Sequence, residues 1–386
     1  MPSDSSLEAR VRARLADLQS RALLRSLKPP VGIDLCSNDY LNLSRHPLLI
    51  ARLIEGVVRE GCGSTGSRLL RGERECFEAV ERRFARFKHT DRSLYFAAGY
   101  LANVAVLTTL AEEGDVIFSD ERNHASLIDG TRLSRARSVV FPHNDPAALR
   151  QLLISNPSSG VRFIVVESLF SMDGDIAPLK DYAAMARETG AILVVDEAHA
   201  VGIYGERGSG LVEALGVENE ACISINTAGK ALGVSGAFVA GPAWAIEYLV
   251  QRARPFVFST APPPALADAL EASLTVVEDE PERRARLVSR SRDLRARLTA
   301  AGVDVPAGTS QIVPIVIGDN DQALAVARVL QRAGFDVRAI RPPTVPPGTA
   351  RLRVSVNADL SEAVLGRFVG VLAAALRELG LCAASS

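Results

Sequence analysis

The sequence contains only four lysines, Lys28, Lys88, Lys180 and Lys230, and leaves arginine to supply the remaining positive charge. Any chemistry that needs a lysine amine therefore has four candidates. The five cysteines (Cys36, Cys62, Cys76, Cys222 and Cys382) form no C-x-x-C pair and are odd in number. That argues against a disulfide or zinc framework and predicts reduced thiols with no metal site. Neither sign of charge dominates: 44 basic and 45 acidic side chains leave a net charge of −1. Electrostatics thus gives no ground for a nucleic-acid or membrane-surface partner. No apolar run approaches the roughly 18 residues of a membrane span. The N-terminal stretch is charged throughout and lacks the apolar core of a signal peptide, so a cytoplasmic protein is expected.

With 386 residues and 47% hydrophobic content, the chain can bury two or three cores. Residues 1–30 read as a helical arm ended by Pro29-Pro30, with a short strand at Val31–Cys36. From about 45 to 245 the pattern alternates between helices (73–88, 99–111, 145–155, 178–189) and short β-rich runs. Those runs are Ser93–Phe96, Asp115–Ser119, Ser138–Phe141, Phe163–Glu167, Ile192–Asp196, Ile223–Ile225 and Ala237–Ala240. Several are continuously apolar, as in a mostly parallel sheet covered on both faces. Beyond Pro262-Pro263-Pro264, residues 265–301 read as one or two helices. A β-α-β-β-α pattern follows: Ile312–Ile317, 321–333, Phe335–Ile340, Arg351–Val356 and a helix from 361. The expected organisation is an arm (1–44), a large α/β domain (45–275) and a small C-terminal α/β domain (276–386).

Two motifs mislead. Gly61-Cys-Gly-Ser-Thr-Gly66 spells G-x-G-x-x-G, but the run before it reads as a helix where a dinucleotide fold needs a strand. Asp196-Glu-Ala-His199 spells a helicase box, yet no G-x-x-x-x-G-K-[ST] phosphate loop precedes it. Both nucleotide readings lack their central part.

The chemistry concentrates elsewhere. Asp196 ends an apolar strand, at the edge where parallel sheets place ligand-contacting groups, and His199 follows in the loop. About thirty residues on, Thr227-Ala-Gly-Lys230 leads a strand into a Gly/Ser-rich loop. A lysine among small apolar neighbours has a lowered pKa and suits Schiff-base formation; the other three lysines lack that context. Read singly, Lys230 is equally a surface-loop lysine and Asp196 a hydrogen-bonded buried acid. Read together, they match what pyridoxal 5′-phosphate (PLP) requires. Asp196 suits the pyridinium nitrogen and Lys230 the aldehyde carbon. Thr227 and the Gly99-Tyr100 turn opening a helix suit the phosphate, and His124 offers a ring to stack.

Together with Ser37-Asn-Asp-Tyr-Leu41, Asn123-His-Ala-Ser126 and Phe170-Ser-Met-Asp-Gly-Asp175, these segments resemble the α-oxoamine synthases. These PLP enzymes condense an amino acid with an acyl thioester and release CO2. The similarity runs over nearly the whole chain to Arg353. It implies the type I PLP-dependent transferase fold, aspartate aminotransferase-like, with a mostly parallel seven-stranded sheet in the large domain. It also implies a homodimer with active sites at the interface. Lys230, Asp196, His199 and His124 are the implied catalytic residues. Ser171 and Thr227 would hold cofactor oxygens, joined by Gly99, Tyr100 and, from the other subunit, Thr260. Arg353 would clamp the amino acid carboxylate, and Arg25, Asn38, His124 and Thr344 would meet substrate. The stretch Ala339–Arg353, with Gly63–Gly72 and His143-Asn-Asp145, is most similar to the branch using L-alanine and pimeloyl-CoA or pimeloyl-acyl carrier protein. Glycine-using relatives, such as glycine C-acetyltransferase, match it less well. A catalytically silent binding protein on the same fold would be expected to lose Lys230 or Asp196, and both are present. Ala200, where the family usually has glycine, Arg71, where a small residue is common, and the loosely matched Arg25 are departures.

Overall fold

The computed structural model describes residues 6–381, so Cys382 lies outside the described residues. The chain divides into two compact units. One comprises Asn38–Ser171 and Asp175–Arg286, the other Met1–Ser37, Met172–Gly174 and Leu287–Ser386.

The expected helical arm shortens to Leu7–Ser20. Arg21 caps that helix and Ala22 turns left-handed at φ 53°, which breaks the helix path before the prolines do. Strand β1 is only Ile33–Asp34.

The larger unit is built on seven strands: β2 (Arg92–Phe96), β3 (Val116–Asp120), β4 (Arg137–Phe141), β5 (Arg162–Glu167), β6 (Ile192–Asp196), β7 (Ile223–Thr227) and β8 (Ala237–Gly241). Their order is β2-β8-β7-β6-β5-β3-β4. The β4-β3-β5-β6-β7 pairs are parallel, and β8 runs antiparallel to both neighbours. The mostly parallel sheet read from the apolar runs is therefore present. Residues such as Val165, Val194, Ile225 and Val239 have no exposed face because helices cover the sheet. Local signals set the helices. Asp145 accepts from Ala148 N at 2.9 Å and Pro146 opens the helix Pro146–Ser155. Gly190, at φ 68°, closes Leu179–Thr189. The stretch 265–301 divides at Pro281 into Ala265–Asp279 and Pro281–Ala300, because proline has no N–H to continue the first helix.

In the smaller unit β9 (Ile312–Gly318) pairs antiparallel with β12 (Ala350–Ser355). The single strand expected at Phe335–Ile340 is two. Strand β10 (Phe335–Asp336) pairs in parallel with β1, whereas β11 (Ala339–Ile340) joins β12. Asp336 marks the switch: its carboxylate accepts from Val31 N and from the Arg338 side chain. The helices Asn320–Arg332 and Glu362–Glu378 are N-capped by Asp319 and Ser361. Among the described residues, no helix is long and apolar enough to cross a membrane, and no cluster of acidic, His and Cys side chains could hold a metal ion.

Candidate active site

Strand ends of the larger unit bring most of the expected residues together. Asp196 is the last residue of β6 and is buried. Its Oδ1 accepts from Ala198 N at 2.8 Å and its Oδ2 from Asn103 Nδ2 at 2.7 Å. The same Asn103 amide donates to Ser126 Oγ at 2.9 Å, and Ser126 Oγ lies 2.7 Å from His124 Nδ1. A continuous hydrogen-bonded path thus links the strand acid to the histidine that caps the helix Ala125–Leu133. Asn103 was missed from sequence, although a lone amide inside the apolar helix Gly99–Leu110 is a signal of a buried partner.

A second path starts at Lys230. Its Nζ lies 2.9 Å from His199 Nε2, and His199 Nδ1 is 2.7 Å from the Tyr40 hydroxyl. Tyr40 in turn donates to Asn38 Oδ1 at 2.9 Å. A phenol has one proton, so this arrangement makes His199 Nδ1–H the donor to Tyr40 and leaves Nε2 to accept from Lys230. Tyr40 is fully buried and was not singled out beforehand, although it lies inside the Ser37–Leu41 motif.

The lysines correct an expectation. Lys88, which read as ending a charged helix, is 4% exposed and pairs with Glu197 Oε2 at 2.5 Å, also donating to Ser209 O at 2.6 Å. Lys230, read as desolvated, is only half-buried. Periodicity could not reveal that the last turn of the helix Glu75–Lys88 points inward.

Thr227 ends β7, and Gly99 opens the helix Gly99–Leu110 against it. A Cβ on Gly99 would collide with Thr227 Oγ1, so glycine is what permits the approach. No side chain caps this helix. Its first N–H groups therefore lack a side-chain acceptor, beside the exposed Tyr100, whose hydroxyl donates to Asp129 at 2.5 Å. Ser171 follows β5 and is nearly buried. Thr260 is exposed in the loop before Pro262, outside the hydrogen-bonded sets just described. Ala200 is fully buried in the turn after β6, and Arg71 is exposed.

Two pKa shifts characterise this strand-edge site. Desolvation, outweighing the opposing attraction from Asp196, holds His124 below the usual histidine range. Glu167, also missed from sequence, stands beside Asp196 in the β5–β6 register. Burial, then the Asp196 charge, pushes its carboxyl up to about 8, and Oε1 has no hydrogen-bond partner.

The smaller unit holds the other expected residues. Arg353, in β12, is buried with Nη1 2.7 Å from Ser355 Oγ. Arg25 donates to Thr344 Oγ1 at 3.1 Å. Both line a cavity of about 530 Å³ whose walls also carry Lys28, Arg328, Arg338 and Arg341 and no acidic side chain. Desolvation and repulsion from Arg25 lower the Arg341 pKa, as in a site short of negative charge.

Comparison with known proteins shows what the chain as a whole is similar to. Residues 30–372 match the family model "Aminotransferase class I and II". The 8-amino-7-oxononanoate synthase of Geobacter sulfurreducens is 44% identical, covering 96% of this chain and 99% of that protein. That of Bordetella petrii is 48% identical over 87% of this chain and 86% of its own. Among solved structures, Sphingomonas wittichii serine palmitoyltransferase matches with a TM-score of 0.92, 31% identity, and coverage of 99% and 100%. A serine palmitoyltransferase from S. paucimobilis with a bound PLP–myriocin adduct matches at TM-score 0.91 and 31% identity, covering 97% of this chain and 100% of its own. The 8-amino-7-oxononanoate synthase of Francisella tularensis gives 0.79 at 29% identity, covering 90% and 99%. The chain belongs to the class I and II aminotransferase family and, within it, to the 8-amino-7-oxononanoate synthases.

Proposed function

We propose that the protein is a PLP-dependent acyltransferase that condenses L-alanine with a pimeloyl thioester. The products are 8-amino-7-oxononanoate, CO2 and the free thiol of CoA or acyl carrier protein, a step of biotin biosynthesis. The observation that carries this reading is the Lys230–His199 contact on the same sheet edge as the doubly hydrogen-bonded Asp196.

The residues present fit the cofactor. Lys230 would hold its aldehyde carbon, Asp196 its ring nitrogen, and His199 and Ser171 its ring oxygen. Thr227 with the uncapped Gly99-Tyr100 turn would take its phosphate, in the cradle that a Cβ at Gly99 would fill. His124 would cover the ring face. When bound, the cofactor is an electron sink for the negative charge that develops at the alanine Cα.

The chain's own groups then divide the work. Asp196 is held in place by two donors, one on each oxygen, so that its carboxylate would face the ring nitrogen. The Lys230 amine would take the Cα proton, and His199 Nε2 orients that amine. Arg353 clamps the alanine carboxylate so that the breaking bond is aligned. Asn38 lies at the end of the Tyr40–His199 path, where it fixes the ring tautomer. Arg25 and Thr344, within the basic cavity, take the far carboxylate of the pimeloyl chain. Departure of CO2 and of the thiol makes the condensation irreversible in practice.

The working form is proposed to be a cytoplasmic homodimer, with Thr260 serving the partner's phosphate. Support for an assembly is the exposed apolar set Ile54, Val58, Leu70 and Phe258 on the larger unit.

The deciding assay supplies the holoenzyme with pimeloyl-CoA and L-alanine, and in parallel with acetyl-CoA and glycine, and follows CO2 and free thiol. Turnover with the first pair is expected. A preference for glycine would overturn the substrate assignment while leaving the family unaffected.

A further inference from the structure

His143 follows β4 in the segment His143-Asn-Asp145, which the proposed chemistry leaves unused. Its Nδ1 is 2.9 Å from Asp120 Oδ1 and its Nε2 is 2.6 Å from Asp175 Oδ2. Each carboxylate belongs to a segment that carries an expected cofactor contact. Asp120 ends β3 and organises the turn into His124: its Oδ1 also accepts from Arg122 N at 2.8 Å, and its backbone carbonyl from Asn123 N at 3.2 Å. Asp175 closes the turn around Ser171: its carbonyl accepts from Phe170 N at 3.0 Å, and Leu169 bridges Ile176.

Asn144 repeats the link, its N–H donating to Asp120 Oδ2 at 3.0 Å and its side chain to Asp175 Oδ2 at 2.7 Å. Its φ of 52° is a conformation that few residues other than glycine and asparagine hold readily. The Phe170 ring packs edge-on to the imidazole at 4.4 Å between centroids.

We propose that His143 is a positioning residue of the reaction: as an imidazolium it ties the His124 segment to the Ser171 turn and so keeps the stacking ring and the Ser171 hydroxyl in register for the cofactor.

The charge state follows from valence. Neutral imidazole has one N–H and can donate to one carboxylate only; both contacts require two. The surroundings agree. Asp120 is buried, Glu121 accepts from His143 N at 3.2 Å, and Asp145 lies in the same loop. From the helix Leu179–Thr189, Tyr182 reaches the same region, its phenol kept protonated by burial and by Asp120 and Asp145. Desolvation alone would lower the His143 pKa, but hydrogen bonds and charge from Asp120 and Asp175 outweigh it and push it up to about 9.

This inference rests on the proposed cofactor site, and its test separates the two. The holoenzyme is labelled with ¹⁵N-histidine, giving five imidazoles, and His143 is assigned by its loss in H143Q. Both ring nitrogens are expected to carry protons at pH 7.5 and to keep them until about pH 9. A ring bearing one proton at pH 7.5 overturns the proposal, even if wild type binds PLP normally. Wild type that takes up no PLP overturns the cofactor reading instead.

The functional arm compares H143Q, D175N and the double variant by PLP titration and steady-state kinetics. Each single variant should weaken PLP binding about tenfold and lower kcat with little change in KM for alanine. The double variant should be no worse than either, as for two ends of one link. Variants that lose only thermal stability, with PLP affinity and kcat within twofold of wild type, would reduce His143 to a structural role. Should H143Q fail to fold, N144A carries the same measurement through the parallel link.

Discussion

Glu167 and Asp196 are register partners at the carboxyl ends of adjacent parallel strands, and the two carboxyl groups are provided for unequally. Asp196 receives one donor on each oxygen, whereas the backbone N–H groups of His124 and Ser171 leave Glu167 Oε1 without a partner, and the carboxyl faces its acidic neighbour. Burial, then the adjacent Asp196 carboxylate, keeps Glu167 protonated near neutral pH.

Replacing Glu167 by Gln, which keeps shape and removes the titration, should therefore preserve folding, PLP uptake and most activity at pH 7. Its effect should appear in stability against pH. Folded Glu167 holds its proton to about 8, whereas the unfolded chain releases it near 4.3. Stability must then fall as pH rises through that window. Urea unfolding at pH 6 and pH 9 should show a smaller loss in E167Q than in wild type. A variant that loses PLP binding at pH 7 would mean that the charged form is the working one.

The sheet and most of its edge chemistry were legible because buried parallel strands are continuous apolar runs, the acid and threonine end two of them and the lysine comes three residues later. What stayed hidden depends on contacts between distant segments. Tyr40 gains meaning from His199, Asn103 from Asp196, and Lys88 from Glu197, and no local pattern encodes such pairings. The division of Phe335–Ile340 between two sheets is likewise set by partners far along the chain.

Lys88 leads to a stability prediction. Lys88→Met leaves Glu197, fully buried, without its cation. Stranding one member of a buried pair typically costs about 3–5 kcal/mol. Changing Glu197 to Gln in the same chain keeps an acceptor for Val212 N and should recover part of that loss. Urea midpoints of the single and double variants decide the matter; equal stability of both would show that the charge is not what matters.

For Lys230 the outcome is covalent. Wild-type protein treated with PLP and borohydride should carry one phosphopyridoxyl group (the cofactor less water plus two hydrogens) on the peptide containing Lys230 and lose its absorbance above 400 nm. Lys230→Ala should gain none and lose turnover by at least about a thousandfold, as expected when base and covalent anchor go together. Labelling of Lys88 or Lys180 instead would displace the site.

Tyr40→Phe tests the path behind Lys230. The variant removes the hydroxyl joining His199 Nδ1 to Asn38 and keeps the packed ring, so the fold should persist. Without that acceptor, His199 is free to move its proton to Nε2, where it can no longer accept from Lys230. The proton-transfer step should suffer, with kcat down about tenfold and KM for alanine little changed. The pH dependence of kcat should shift as well, because the base loses its fixed partner. Rate and pH profile identical to wild type would mean that His199 holds its tautomer without Tyr40. A rise in KM alone would place Tyr40 in substrate binding.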